Sequence, residues 1–135
     1  MTRRWLFGLI AACVVGCALT AAPAPADAAV TSLRVQQPEF TGRYGAGCTY
    51  TLSARVNRPG PVTFSVRQPT RLSDGKQLRF TFRVTPKRNV ATFHWSPVVT
   101  GHFVLAARQQ GSPWKVRGVD VYQRFELGNS CFGLW

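Results

Sequence analysis

From Ser32 onward, apolar and polar positions alternate with a period of two, and Pro, Gly and Asn interrupt the alternation at short intervals. No stretch sustains a helical period over three turns, so the pattern predicts an all-β domain. A first strand covers Ser32 to Gln37 and stops at Pro38, which has no N–H to give to a ladder. After a glycine-rich connection from Gly42 to Gly47, Tyr50, Leu52, Ala54 and Val56 form the inward face of a second strand over Thr49 to Asn57. Arg58-Pro59-Gly60-Pro61 is a turn, and Val62, Phe64 and Val66 point inward from a third strand. Beyond a second turn at Ser73-Asp74-Gly75, Leu78, Phe80, Phe82 and Val84 alternate with Arg79, Thr81 and Arg83, so the fourth strand has one apolar and one cationic face. The turn Pro86 to Asn89 leads into Val90 to Trp95, and a sixth strand follows over His102 to Arg108. A single long strand from Lys115 to Leu127 closes the chain, with Val119, Val121, Phe125 and Leu127 in phase. The count is seven, at the spacing of an antiparallel β-sandwich.

The segment before this pattern has a different character. Arg3 and Arg4 precede an apolar run from Trp5 to Thr20, and small residues follow up to Ala26-Asp27-Ala28. That order is the pattern of a secretory signal peptide over residues 1–29, which leaves one domain over 30–135. The apolar run is shorter than the roughly 20 residues that a membrane-crossing helix requires. Val14-Val15-Gly16-Cys17 offers an alternative address, because it resembles the site at which bacterial lipoproteins are cut and acylated. Cys17 would then anchor the domain to a membrane, in place of free secretion.

Cysteine usage agrees with export. With Cys13 and Cys17 in the leader, only Cys48 and Cys131 remain, and two cysteines in an oxidising compartment allow a single disulfide. Strand parity is consistent with that bridge. In a seven-strand antiparallel sandwich the second strand begins at the end where the seventh finishes, which brings Cys48 toward Cys131.

Charge changes the picture further. Of 17 Lys and Arg residues, only Arg3 and Arg4 fall in the leader, whereas the domain holds just four acids, Glu39, Asp74, Asp120 and Glu126. Such a field raises the local concentration of polyanions, and it also keeps a small domain soluble and monomeric. The candidate anionic-ligand face is Arg79 and Arg83, outward on one strand, with Arg55 outward on the second strand and Lys87 and Arg88 in the following turn. Cations on one strand face, with Thr81 between Arg79 and Arg83, can engage anionic groups along a polymer.

No catalytic set is visible, and no motif implies a cofactor. His94 and His102 read as surface residues, and neither has zinc-like spacing to a cysteine. Asp120 and Glu126, six residues apart on one extended strand, would stand about 20 Å apart, too far for paired-carboxylate glycoside chemistry. The chain therefore reads as a binding protein and not an enzyme.

Four runs carry a family resemblance: Tyr50-Thr51-Leu52-Ser53-Ala54-Arg55-Val56, Gly60-Pro61-Val62-Thr63-Phe64, Val90 to Pro97, and Thr100 to Ala107. Their order resembles the bacterial Ig-like domains of exported surface proteins. The resemblance spans about Val30 to Leu127 and implies an Ig-like sandwich that stands alone. It departs from that family in its excess of arginine and in the absence of a repeat. The expected function is an exported, non-catalytic, cell-envelope-associated binding module, whose partner is an anionic cell-wall polymer or another extracellular protein. Nucleic acid is disfavoured, since charge is present without an aromatic platform. The alternative is a small secreted cationic effector or inhibitor acting on a foreign protein or membrane.

Overall fold

The computed structural model describes residues 28–134. The leader, its cleavage site, Cys13, Cys17 and Trp135 lie outside the described residues. The chain forms ten strands where the alternation predicts seven: β1 (Val30–Val35), β2 (Tyr44–Gly45), β3 (Tyr50–Val56), β4 (Val62–Arg71), β5 (Gln77–Val84), β6 (Val90–Trp95), β7 (Gly101–Gln109), β8 (Lys115–Tyr122), β9 (Arg124–Leu127) and β10 (Ser130–Gly133). The described residues contain no helix.

Eight of these strands lie in two sheets that share one core. One sheet has the order β1-β3-β6; the other runs β2-β8-β7-β4-β5. Their inner faces follow from the alternation. Leu52, Ala54, Ala91 and Trp95 on the first sheet meet Phe64, Phe103, Leu105 and Ala107 on the second, all buried in one apolar cluster. Aromatic contacts cross the gap between the sheets, with Trp95 edge-on to Phe103 at 5.4 Å and Phe93 stacked on Phe64 at 5.7 Å. Burying side chains of this size contributes about 1.5–3 kcal/mol each, and that term dominates a domain with no helix to share the load. One polar side chain is fully enclosed. Gln109 donates through Nε2 to the carbonyls of Arg58 and Gly60, at 2.9 and 3.2 Å, and so ties down the turn between β3 and β4.

The expected final strand is not continuous. It breaks at Gln123 because β7 begins at Gly101, opposite Val121, and offers no partner further along. Past that point the chain folds on itself, and β9 pairs with β10 as a hairpin. Phe125 and Leu127, expected to point inward with Val119 and Val121, are therefore exposed. A second addition lies in the glycine-rich connection, where β2 pairs in parallel with β8 through Tyr44↔Val121 and Gly45↔Tyr122.

The disulfide is present. Cys48 and Cys131 are bonded with Cα atoms 5.6 Å apart, closing a sequence separation of 83 residues. Cys131 sits inside β10 and not in a free tail after the last strand, so the bridge holds the terminal hairpin against the loop that enters β3. Phe132 is buried, between Phe40 at 5.4 Å and Phe125 at 5.5 Å. The Thr41 hydroxyl donates to the Gly133 carbonyl, and the Gly133 N–H donates to the Arg43 carbonyl, both at 2.8 Å. Glycine is required at two points of this contact. A Cβ on Gly45 would lie 2.6 Å from the Phe132 carbonyl oxygen, and one on Gly133 would run into the Tyr44 carbonyl oxygen.

Tyr44 and Tyr50 anchor the same end of the core. Their rings meet edge to face at 4.9 Å, and the Tyr50 hydroxyl oxygen accepts the Gly45 N–H at 2.7 Å. Burial pushes both phenols above their ordinary value of 10.0, opposed for Tyr44 by the Arg117 charge and for Tyr50 by the Gly45 hydrogen bond. A group whose folded pKa is raised supplies stability below its unfolded pKa and loses it as pH climbs through the folded value. The domain is therefore expected to lose stability on the alkaline side, above about pH 10, while these two groups leave stability below about pH 9 unchanged. Phenolate absorbance followed together with circular dichroism checks this. Ionisation of both tyrosines at pH 10 with the fold intact would contradict it.

Candidate anion-binding face

Outward positions on the five-stranded sheet arise from the same alternation that builds the core. Residues between Val62, Phe64 and Val66 on β4 project away from it, as do those between Leu78, Phe80 and Phe82 on β5. Cross-strand register then sets their neighbours: Thr63↔Arg83, Ser65↔Thr81 and Arg67↔Arg79 between β4 and β5, and Thr63↔Arg108, Ser65↔Ala106 and Arg67↔Val104 between β4 and β7. A shallow depression of about 180 Å³ results, lined by Ser65, Arg67, Arg79, Val104, Ala106, Trp114 and Val116. Small Ala106 and the hydroxyl of Ser65 form its floor. Trp114 forms one wall and is itself covered by the Arg108 guanidinium, 4.4 Å from the ring centre.

The electrostatics of this face are unbalanced. Directly opposed residues on paired strands have Cβ atoms about 4.5–5.5 Å apart, close enough that two like charges cost stability. Arg67 and Arg79 form such a pair. The Nε of Arg67 is buried and finds no acceptor among the described residues. A charged donor left in that state costs more than the roughly 1–3 kcal/mol of an unsatisfied neutral group. No carboxylate relieves it, because the four described acids are engaged elsewhere. Asp74 meets Lys76 at 3.9 Å, Asp120 meets His102 at 2.8 Å, Glu126 meets Arg124 at 3.4 Å, and Glu39 accepts from the Ser130 hydroxyl.

The five sequence-expected cations do not form one row. Arg79 and Arg83 share the outer face of β5. Arg55 lies on β3, in the opposite sheet, where Arg34, Thr51, Ser53 and Arg55 line a separate open depression of about 580 Å³. The two faces look away from each other across the core, so one short ligand segment cannot span Arg55 and Arg79. Lys87 and Arg88 occupy the tight turn between the sheets; Arg88 and Asn89 have positive φ, and the Lys87 and Val90 backbones bond reciprocally. They sit at the seam and belong to neither face. Sequence reading missed Arg67, Arg108 and Arg34. Arg67 continues the outward phase of Thr63 and Ser65, and that phase alone would have placed it on this face.

His94 and His102 are both exposed, as expected. His94 Nδ1 lies 3.4 Å from the Thr51 hydroxyl, and His102 Nδ1 lies 2.8 Å from an Asp120 carboxylate oxygen. Among the described residues, His102 has no hydroxyl or thiol hydrogen-bond partner. Asp120 and Glu126, expected on one strand, lie on β8 and β9 with different partners. Among the described residues no group of three or more His, Cys, Asp and Glu side chains is placed to hold a metal ion, and no helix is long and apolar enough to cross a membrane.

These features define an all-β, disulfide-linked domain of two packed sheets and a terminal two-stranded hairpin, with an arginine-rich outer face. No protein-family model matches the chain, and no curated protein matches it.

Proposed function

We propose that this protein is an exported, non-catalytic Ig-like binding module that holds an anionic cell-wall polymer on the outer face of its five-stranded sheet. The observation that carries this reading is the Arg67–Arg79 pair, in which two like charges stand directly opposed with a buried, unsatisfied Nε and no carboxylate beside it. A phosphate or carboxylate of the ligand would accept from both guanidinium groups, and Arg83 and Arg108, which flank Thr63 two outward rows along, stand ready for a further anion. The Ig-like part of the reading is supported by the division of the long strands. β1, β3 and β6 stand where strands A, B and E of that fold stand, and β8, β7, β4 and β5 stand where G, F, C and C′ stand. Export is supported by the disulfide and by the composition of residues 1–29.

Retention of the mature protein on purified anionic wall polysaccharide, measured across a salt series, tests the reading. Charge-assisted hydrogen bonds contribute about 1.5–3 kcal/mol each, so Arg67→Gln with Arg79→Gln is expected to weaken binding at least tenfold and to flatten the salt dependence. Arg34→Gln with Arg55→Gln, on the opposite sheet, removes the same charge and is expected to change affinity far less. Equal losses from the two faces would show that net charge alone binds the polymer. An absence of binding at every salt concentration would overturn the proposal.

A further inference from the structure

We propose a second docking site, which shares Arg79 and Arg83 with the wall-polymer face but lies on the strand edge beside it: the free edge of β5 takes up an extended segment of a partner protein, one whose residues alternate between acidic and apolar. β5 is the last strand of its sheet, paired with β4 on one side only, and β6 is likewise the last strand of the opposite sheet. Between the two edges a groove of about 280 Å³ opens, with Phe80, Phe82, Phe93, Trp95 and Phe103 among its walls. Phe80 and Phe82 have the inward phase of core residues, yet they are 44% and 39% exposed, because the facing sheet ends at β6 and cannot cover them. Phe82 leans on Phe93 at 4.6 Å, and Phe93 in turn on Phe64, so the groove floor is continuous with the core and rigid.

The edge lacks the usual protections. β5 is eight residues long, contains no proline and points no charge inward, and its unpaired N–H and C=O groups form a template for another strand. Arg79 and Arg83 on its outer side decide what that strand can be. A second copy is disfavoured, since antiparallel self-pairing centred on Thr81 would set Arg79 opposite the partner's Arg83 twice, in a chain of net charge +12. The segment of this chain before Ala28 is no better, offering one acid, Asp27, against Arg3 and Arg4. An acidic–apolar strand satisfies both faces at once, because a period of two places carboxylates beside Arg79 and Arg83 and apolar side chains in the groove beside Phe80 and Phe82. β6 is the weaker edge. It is shorter, at six residues, and its outward neighbours are Thr92 and His94.

Titration of the intact mature protein with a labelled, capped octapeptide of alternating glutamate and valine tests the inference, by anisotropy and by amide chemical-shift mapping. Saturable binding with Kd below about 1 mM, with shifts concentrated in residues 77–84 and 90–95, is expected. The lysine–valine peptide should fail to bind, and N-methylation at alternate residues of the glutamate peptide should weaken binding at least tenfold by removing its edge donors. Phe80→Thr, at the groove mouth, is expected to weaken the peptide about tenfold while leaving polymer retention unchanged, which separates this site from the Arg67–Arg79 face. Arg79→Glu with Arg83→Glu should exchange the preference toward the lysine peptide. Binding that ignores N-methylation and Phe80→Thr would overturn the proposal, as would shifts confined to the outer sheet face or preferential self-association.

Discussion

Replacing both bridging cysteines, Cys48→Ala with Cys131→Ala, is expected to lower the melting temperature by about 20 °C or more. The reason lies mainly in the unfolded chain. Joining residues 83 apart removes loop-closure freedom worth about 4.5 kcal/mol on the loop-length relation. In a domain of about 100 residues each kcal/mol moves the midpoint by about 4–8 °C. The folded state adds a local effect, because β10 belongs to a two-stranded sheet with β9 and its other ties are the Phe132 ring, the Thr41 hydroxyl, the Arg43 carbonyl and the Ser130 hydroxyl on Glu39. Amides of β9 and β10 should therefore lose exchange protection before those of β4 and β7. Calorimetry and hydrogen exchange on the wild-type and double-alanine proteins give both readings. A difference under about 1 kcal/mol would mean that the terminal hairpin is held by its packing alone.

Phe64→Ala is expected to destabilise the whole domain by about 3–5 kcal/mol, the usual cost of deleting a buried phenylalanine. Phe64 is completely buried on β4, an interior strand of the larger sheet between β7 and β5, and it backs the ring of Phe93 on the opposite sheet. The surroundings have little freedom to collapse into the space, since Leu52, Leu105 and Ala107 are held by ladders on both sides of the core. Unlike loss of the disulfide, this change should shift the denaturant midpoint without selective loosening of β9 and β10. Combining it with Phe93→Ala in a double-mutant cycle should return a coupling of about 0.5–1.5 kcal/mol, because the two rings share one contact. Additive losses would show that the stacking contributes nothing beyond area.

Much of this architecture was legible in the residues. Tyr50, Leu52, Ala54 and Val56 are buried and their neighbours are not, as a period of two requires of a strand with one face on the core. Val62, Phe64 and Val66, and likewise Phe103, Leu105 and Ala107, are buried in the same phase, although Ser65 and Ala106 between them are buried as well, on the outer side of the larger sheet. The disulfide was legible because one pairing was possible. Where alternation misled, a missing neighbour was responsible. Phe80 and Phe82 have core phase but overhang a narrower sheet, and Phe125 and Leu127 lie beyond the end of β7. A pattern along the chain reports which side a residue takes, and nothing in it reports whether another strand lies on that side.

The candidate site shows the division most sharply. Composition and alternation determined that the domain is strongly basic, that it is all-β, and that Arg79 and Arg83 lie on one outward face. Only the tertiary structure separated Arg55 from them, because sheet membership depends on which strands pair across long stretches of chain. Register decided the rest. Near the turn Arg71 is opposite Gln77, a spacing that would carry Arg67 to Thr81, but an irregularity between Arg67 and Arg71 shifts the ladder and sets Arg67 opposite Arg79. That shift produces the opposed pair of cations and the buried, unpartnered Nε. The irregular stretch holds Pro69, which cannot donate to the ladder, but which residues the shifted register sets opposite each other is decided only when β4 and β5 pair in the fold.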